Sequence, residues 1–321
     1  MNKDPIILVA GEPNSIFLEL FLKCIKKKKY KNPILIIVSK KLLTSQMHKL
    51  GFNYKINEVS KNFTNYQDLN NNKINLINVN YNFKSCFEKI SKKSNVYIEE
   101  CFKIALKILK KNKFSKLING PISKKNFLEG KFLGITEYLA KKTNKDNAVA
   151  MLIFNKKLSV SPITTHLPVK EIHKNISKKK IYQHVKLINE FYKKNLNKKP
   201  KIAITGLNPH CESNFRTSEE TSTIKPALKN LIKKKYNIKG PFAADTIFMQ
   251  EQSKKYDVII GMYHDQVLAP AKTLFGFNAI NITLGLPFLR ISPDHGPNSS
   301  MLGKNLSNPE SLMKALKFLD N

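Results

Sequence analysis

Short apolar runs, separated by longer stretches of helical periodicity, set the strongest limit on how this chain can fold. The runs "PIILVAG", "PILIIVS", "KLINGPI", "AVAMLIF", "KIAITGL", "YDVIIGMYH" and "AINITLG" each have the length and character of a strand. Between them, residues 96–110 place Ile98, Cys101, Ala105 and Leu109 in helical step. Residues 181–196 do the same with Ile181, Val185, Ile188 and Tyr192. This alternation predicts an α/β protein with a largely parallel sheet. A chain of 321 residues is long for one domain, and no linker-like stretch interrupts it. The second domain is therefore expected as an insertion into the first. The approximate bounds are 1–128 plus 272–321 for the first domain and 129–271 for the second.

Polar groups gather where the apolar runs end. "VAGEPN", "NGPISK", "TTHLP", "TGLNPH" and "GMYHDQ" each follow a strand-like run. In open α/β sheets, ligands bind outside the carboxyl ends of the strands, so these clusters are candidates for one site. The last cluster is the densest. In "GMYHDQVLAPAK", Tyr263, His264, Asp265 and Gln266 stand side by side, with Lys272 eight residues after the histidine. It reads as a strand-end loop.

Of seven histidines, His48, His173 and His184 sit in lysine-rich helical patterns, with His184 on the apolar side between Ile181 and Ile188. These read as surface or core-edge residues. His166, His210 and His264 each end a strand-like run. Three neutral imidazoles on separate strands suit a divalent metal with open positions, but spacing alone favours three unrelated hydrogen-bonding histidines.

A net charge of +33 raises the question of nucleic acid. Only Arg216 and Arg290 among the 56 basic residues are arginine, whereas nucleic-acid readers exploit the arginine fork. The lysines are scattered over helix faces, and lysine, asparagine and isoleucine share A/T-rich codons. Compositional drift explains the charge better than a nucleic-acid partner does. No run approaches the roughly eighteen apolar residues of a membrane span, and "MNKDPIILVAGEP" reads as a first strand and not a signal peptide. Cys24, Cys86, Cys101 and Cys211 show no C-x-x-C spacing and read as reduced thiols of a cytoplasmic protein.

Taken in order, "TTHLPV", "GLNPH", "ADTIF", "MYHDQ", "NITLGLPFLR" and "DHG" resemble the 4-hydroxythreonine-4-phosphate dehydrogenase family of pyridoxal phosphate synthesis. The resemblance runs nearly end to end. It implies two α/β/α domains around a cleft, like isocitrate and isopropylmalate dehydrogenases, in a homodimer whose active sites lie at the subunit interface. It implies one divalent metal (zinc, magnesium or cobalt) on His166, His210 and His264, with ligands shared between subunits. It also implies substrate contacts from Thr136, Lys272, Asn281 and Arg290. Asp265, Asp245 and Lys272 are then candidates for proton transfer. No G-x-G-x-x-G follows a strand, so NAD or NADP is expected on loops. "ISPDHGPNSSMLGK" makes Asp294, His295 and Asn298 the candidates for its binding. The implied reaction is oxidation of a small phosphorylated hydroxy-amino acid followed by loss of carbon dioxide.

Three departures bear on the substrate. The family's opening G-[DE]-P-A-G-I-G-P-E is here Gly11-Glu12-Pro13-Asn14-Ser15-Ile16-Phe17-Leu18-Glu19, with two glycines replaced by Ser15 and Phe17. Its G-H-T-E is here Gly134-Ile135-Thr136-Glu137, so one imidazole is lost. The segment after His210 is changed, and Arg216 within it could reach a phosphate in compensation. A sister enzyme acting on erythronate or threonate 4-phosphate is the alternative these changes keep open.

Overall fold

The computed structural model describes residues 4–62, 69–146, 148–212, 217–276, 278–293 and 296–320. Its strands are β1 (Ile6–Val9), β2 (Ile34–Val38), β3 (Ile56–Glu58), β4 (Ile74–Asn78), β5 (Lys116–Asn119), β6 (Ala150–Phe154), β7 (Ser159–Thr164), β8 (Ile202–Thr205), β9 (Ile238–Phe242), β10 (Val258–Tyr263), β11 (Ile280–Leu284) and β12 (Leu289–Pro293). Its α-helices are α1 (Phe17–Lys27), α2 (Lys40–Lys49), α3 (Asn95–Asn112), α4 (Ile135–Lys142), α5 (Lys178–Leu196), α6 (Lys225–Lys233), α7 (Ala244–Ile247), α8 (Gln250–Ser253), α9 (His264–Phe275) and α10 (Glu310–Leu319). The chain divides into two compact units, one of Met1–Ile135 with Pro287–Asn321 and one of Thr136–Leu286.

In the first unit the strands run in the order β3-β4-β2-β1-β5-β12, all parallel. Strands β1 and β2 are wholly buried Ile, Leu and Val, as strands covered on both faces must be. Helix α3 packs on β1 and β2, α10 on β5 and β12, and α1 against α2 and α10. The chain steps from β1 to β2, out to the edge as β3 and back to β4, then returns through α3 to the other side of β1 as β5. The strand order thus reverses between β1 and β5, the place where open sheets of this kind bind ligands. Two glycines let the backbone close there: a Cβ on Gly11 would meet the Pro121 carbonyl oxygen, and one on Gly120 that of Ala10. The same Cβ on Gly120 would lie 2.7 Å from the Phe17 ring. Phe17, one of the two glycine replacements, is fully buried at the start of α1. The other, Ser15, donates to the Glu12 carbonyl at 2.7 Å.

Acidic side chains pin this unit's loops by accepting backbone N–H groups. Glu19 Oε1 takes the Ser307 amide at 2.7 Å as well as the Lys23 ammonium at 2.8 Å. Asp320 Oδ1 takes the amides of Lys31 at 2.7 Å and Asn32 at 2.8 Å. Glu12 accepts from the Asn14 amide at 3.3 Å and the Ser94 hydroxyl at 3.0 Å, while burial raises its carboxyl pKa.

In the second unit the order is β11-β6-β7-β10-β8-β9. Strands β7, β10, β8 and β9 are parallel, and β6 runs antiparallel to both β11 and β7. Helix α9 packs on β7 and β10, and α5 on β6, β7 and β11. Strand β7 (SVSPIT) has too many serines and a proline to stand out in the sequence. Its serines are nevertheless satisfied inside: Ser161 Oγ donates to the Met151 carbonyl at 2.7 Å, and Ser159 Oγ accepts from Tyr192 at 3.0 Å.

The four cysteines are free thiols. Burial pushes Cys24 and Cys101 up to about 12. His184 is buried on α5 and shares a hydrogen bond with the Lys180 carbonyl at 3.0 Å. Burial keeps its imidazole neutral and draws its pKa down to about 4. An unfolded histidine takes a proton near 6.5, so the unfolded state binds more protons between those values. Stability from this residue is therefore present above about pH 6.5 and lost as the pH falls through about 4. Urea unfolding of the wild type and His184→Gln at pH 7 and pH 4 should show the variant losing roughly 3 kcal/mol less over that range.

Candidate active site

Parallel pairing delivers the carboxyl ends of β7, β10 and β8 to one edge of the second unit's sheet. Tyr263 at the end of β10 is paired with Thr164 at the end of β7. The residues that follow, His264 and Thr165-His166, therefore emerge level with each other. The rings of His166 and His264 lie 5.8 Å apart between centroids, tilted by 39°. The segment after Tyr263 differs from the loop expected from its sequence. Strand β10 passes directly into α9, which begins at His264 and holds Pro270 inside it. The mixed polar residues and the proline conceal the helix, although Asp265 in the first turn is favourably placed against the helix dipole.

Gln266 explains why this turn is so sharp. Its side-chain oxygen accepts from the Met262 amide at 2.7 Å and the Thr205 hydroxyl at 2.8 Å. Its amide donates to the Gly206 carbonyl at 2.8 Å. One buried side chain thus clasps the ends of β10 and β8 together. A second clasp holds the loop after β8. Glu220, fully buried, accepts the amides of Leu207 at 2.8 Å and Asn208 at 2.9 Å, and the Asn208 side chain at 2.8 Å. Burial alone would raise this carboxyl, but the hydrogen bonds from Asn208 and Leu207 outweigh it and hold the pKa below the usual value. Neither clasp has a local sequence signal, because each joins residues that only the fold brings together.

The loop fixed by Glu220 carries His210, exposed, at φ 56° and ψ 11°. His264 Nδ1 and Asp265 Oδ1 are 2.6 Å apart, which orients that ring and leaves Nε2 for another partner. An imidazole that holds a divalent ion does so at roughly 2.0–2.1 Å from its nitrogen, so two rings this close are candidates for one ion. Among the described residues, no three His, Cys, Asp or Glu side chains form a metal-holding group. One chain thus unites two of the three candidate histidines.

The other candidates fall as follows. Thr136, buried at the start of α4, meets Thr283 of β11 with hydroxyls 3.4 Å apart. Asn281 lies two residues earlier on the same strand, its Oδ1 buried. Lys272 in the last turn of α9 is half-buried, and desolvation lowers its pKa. Asp245 is exposed in the first turn of α7. In the first unit, Arg290 on β12 is buried and donates from Nε to Asn119 Oδ1 at 2.7 Å. Asn298 is exposed at φ 49°, its amide donating to Met301 Sδ at 2.9 Å. Asp294, His295 and Arg216 lie outside the described residues.

Residues 29–319 match the family described as pyridoxal phosphate biosynthetic protein PdxA. The chain belongs to this family. It is 38% identical over 318 residues to the 4-hydroxythreonine-4-phosphate dehydrogenase of Sulfurihydrogenibium sp. (strain YO3AOP1), spanning 98% of this chain and 96% of that one. It is also 29% identical, over 98% of its length and 97% of the relative's, to an Oceanobacillus iheyensis protein provisionally named D-threonate 4-phosphate dehydrogenase. The crystal structure of 4-hydroxythreonine-4-phosphate dehydrogenase from Klebsiella pneumoniae matches with a TM-score of 0.84 at 24% identity, covering 99% of this chain and 98% of that one. Isocitrate dehydrogenase from Methylococcus capsulatus matches with a TM-score of 0.50 at 11% identity, covering 97% and 83%. The α/β fold of the PdxA family, with its likeness to isocitrate dehydrogenase, is therefore the fold of this chain.

The clasp at Gln266 can be tested apart from chemistry. Gln266→Leu should lower the unfolding free energy by about 3 kcal/mol, because two backbone groups and a threonine hydroxyl lose a buried partner together. The urea midpoint measures it.

Proposed function

We propose that this PdxA-family chain oxidises 4-phosphooxy-L-threonine with NAD or NADP, giving 2-amino-3-oxo-4-phosphooxybutanoate, which loses carbon dioxide to form 3-amino-2-oxopropyl phosphate. The observation that carries the reading is the His166–His264 pair at the adjoining ends of β7 and β10, in a chain similar over nearly its whole length to a dehydrogenase named for this substrate. His166, His264 and His210 would hold the divalent ion, with the ligand set shared between two copies in a homodimer. That sharing accounts for a single chain uniting only two of them. A bound divalent ion would lower the pKa of the substrate hydroxyl and stabilise the enolate left by decarboxylation.

The chain's own groups take the remaining tasks. Thr136 and Asn281 orient the substrate. Arg290 offers a planar fork to an oxyanion, its plane set by Asn119. Lys272, with its charged form disfavoured by burial, contacts the substrate and is suited to exchanging a proton. Asp265 and Asp245 are the candidate carboxylates to accept one. Asn298, with Asp294 and His295, would meet the nicotinamide cofactor.

A second reading has its own support. The Oceanobacillus relative is named for threonate 4-phosphate, and Ile135 removes a polar contact from the substrate-binding turn. The same chemistry would then act on a 2-hydroxy acid.

Purified protein should form NAD(P)H with 4-phosphooxy-L-threonine, lose that activity on chelation and regain it with zinc, magnesium or cobalt. Turnover that survives exhaustive chelation would overturn the metal assignment. Turnover with threonate or erythronate 4-phosphate alone would select the second reading.

A further inference from the structure

The second unit leaves a particular kind of atom unsatisfied beside the histidine pair. Glu137 sits in the first turn of α4, directly after Thr136. Thr165, the residue before His166, donates to Glu137 Oε1 at 3.4 Å. The other oxygen, Oε2, is buried and makes no hydrogen bond among the described residues. Asn281 Oδ1, on the strand that meets Thr136 through Thr283, is in the same condition. A buried carboxylate oxygen without a donor is costly, and a donor that arrives with a ligand would relieve it; Asp4 Oδ1 and Glu19 Oε2 are also without one, and Glu137 is set apart from them by its contact with Thr165, the neighbour of His166. Both open atoms are acceptors. Of the groups on 4-phosphooxy-L-threonine, the carboxylate and phosphate offer no proton. The hydroxyl offers one, and the ammonium offers three with a positive charge.

We propose that Glu137 is the specificity-determining residue that receives the substrate's 2-ammonium group through Oε2, so that the site selects a 2-amino acid over its 2-hydroxy analogue. The inference rests on the dehydrogenase reading above and decides between its two substrates. A 2-hydroxyl in that position would leave the carboxylate's charge unmatched. Ile135, next in the same turn, cannot hydrogen-bond through its side chain, which leaves Glu137 and Thr136 as the turn's polar side chains.

The test compares wild type and Glu137→Gln with 4-phosphooxy-L-threonine and with threonate 4-phosphate. Glutamine keeps an oxygen for Thr165 and removes the charge. The kcat/KM for the amino substrate should fall by roughly ten- to a hundredfold, and that for the hydroxy acid should stay or rise. Calorimetric titration of both proteins with each compound, without cofactor, should give the same change of preference in affinity. An equal loss with both compounds would assign Glu137 to holding the Thr165–His166 segment and overturn the inference. So would a wild type that prefers the hydroxy acid, equal affinities, or no binding of either compound. Failure of the dehydrogenase reading is visible separately, as binding of the amino compound with no NAD(P)H formed from either.

Discussion

Parallel pairing of β10 between β7 and β8 is the constraint on which the candidate site depends. Parallel strands put all their carboxyl ends at one edge, so three chain exits converge there whatever their sequences. Register then does the fine placement. Tyr263 opposite Thr164 brings the two segments that follow to the same edge, where the rings of His264 and His166 lie 5.8 Å apart although 98 residues separate them in sequence. Gln266 holds the end of β10 against its other neighbour, because its three hydrogen bonds join β10 to β8 and the residue after it.

Much of this was legible in the sequence, and the gaps have physical reasons. The seven apolar runs correspond to β1, β2, β5, β6, β8, β10 and β11, since strands buried on both faces need continuous apolar residues. Helices α3 and α5 followed from their 3.6-residue periodicity. The strands that were not apparent carry polar residues inward or sit at an edge. Asn75 in β4 donates to the Ile34 carbonyl, Ser161 in β7 to that of Met151, and β3 is short and half-exposed. Helix α9 was hidden by Pro270. Among the candidate residues, the strand-end histidines were picked out by position, and the structure brings His166 and His264 together. Glu220 and Glu137 were not picked out, because their importance lies in contacts across the sequence: to Leu207 and Asn208 in one case, to Thr165 in the other.

The buried acids form a pattern that composition would not suggest. In a chain with 56 basic and 23 acidic residues, Glu12, Glu19, Glu220 and Asp320 lie almost wholly inside, and each accepts one or more backbone amides. A carboxylate offers two acceptor oxygens and so can fix two turns of backbone at once, which lysine, a donor only, cannot do for an N–H. Acids are scarce here, and these four sit where the fold needs an acceptor.

That placement has a consequence for how the molecule meets its surroundings. With several of its acids withdrawn from solvent, the chain presents water with a charge density still more one-sided than its net charge of +33 implies. Such an excess attracts anions in general over a distance that dissolved salt shortens. Attraction of anions is then a property of the whole lysine-rich exterior, whereas the interior acceptor oxygens are ones that no lysine can replace.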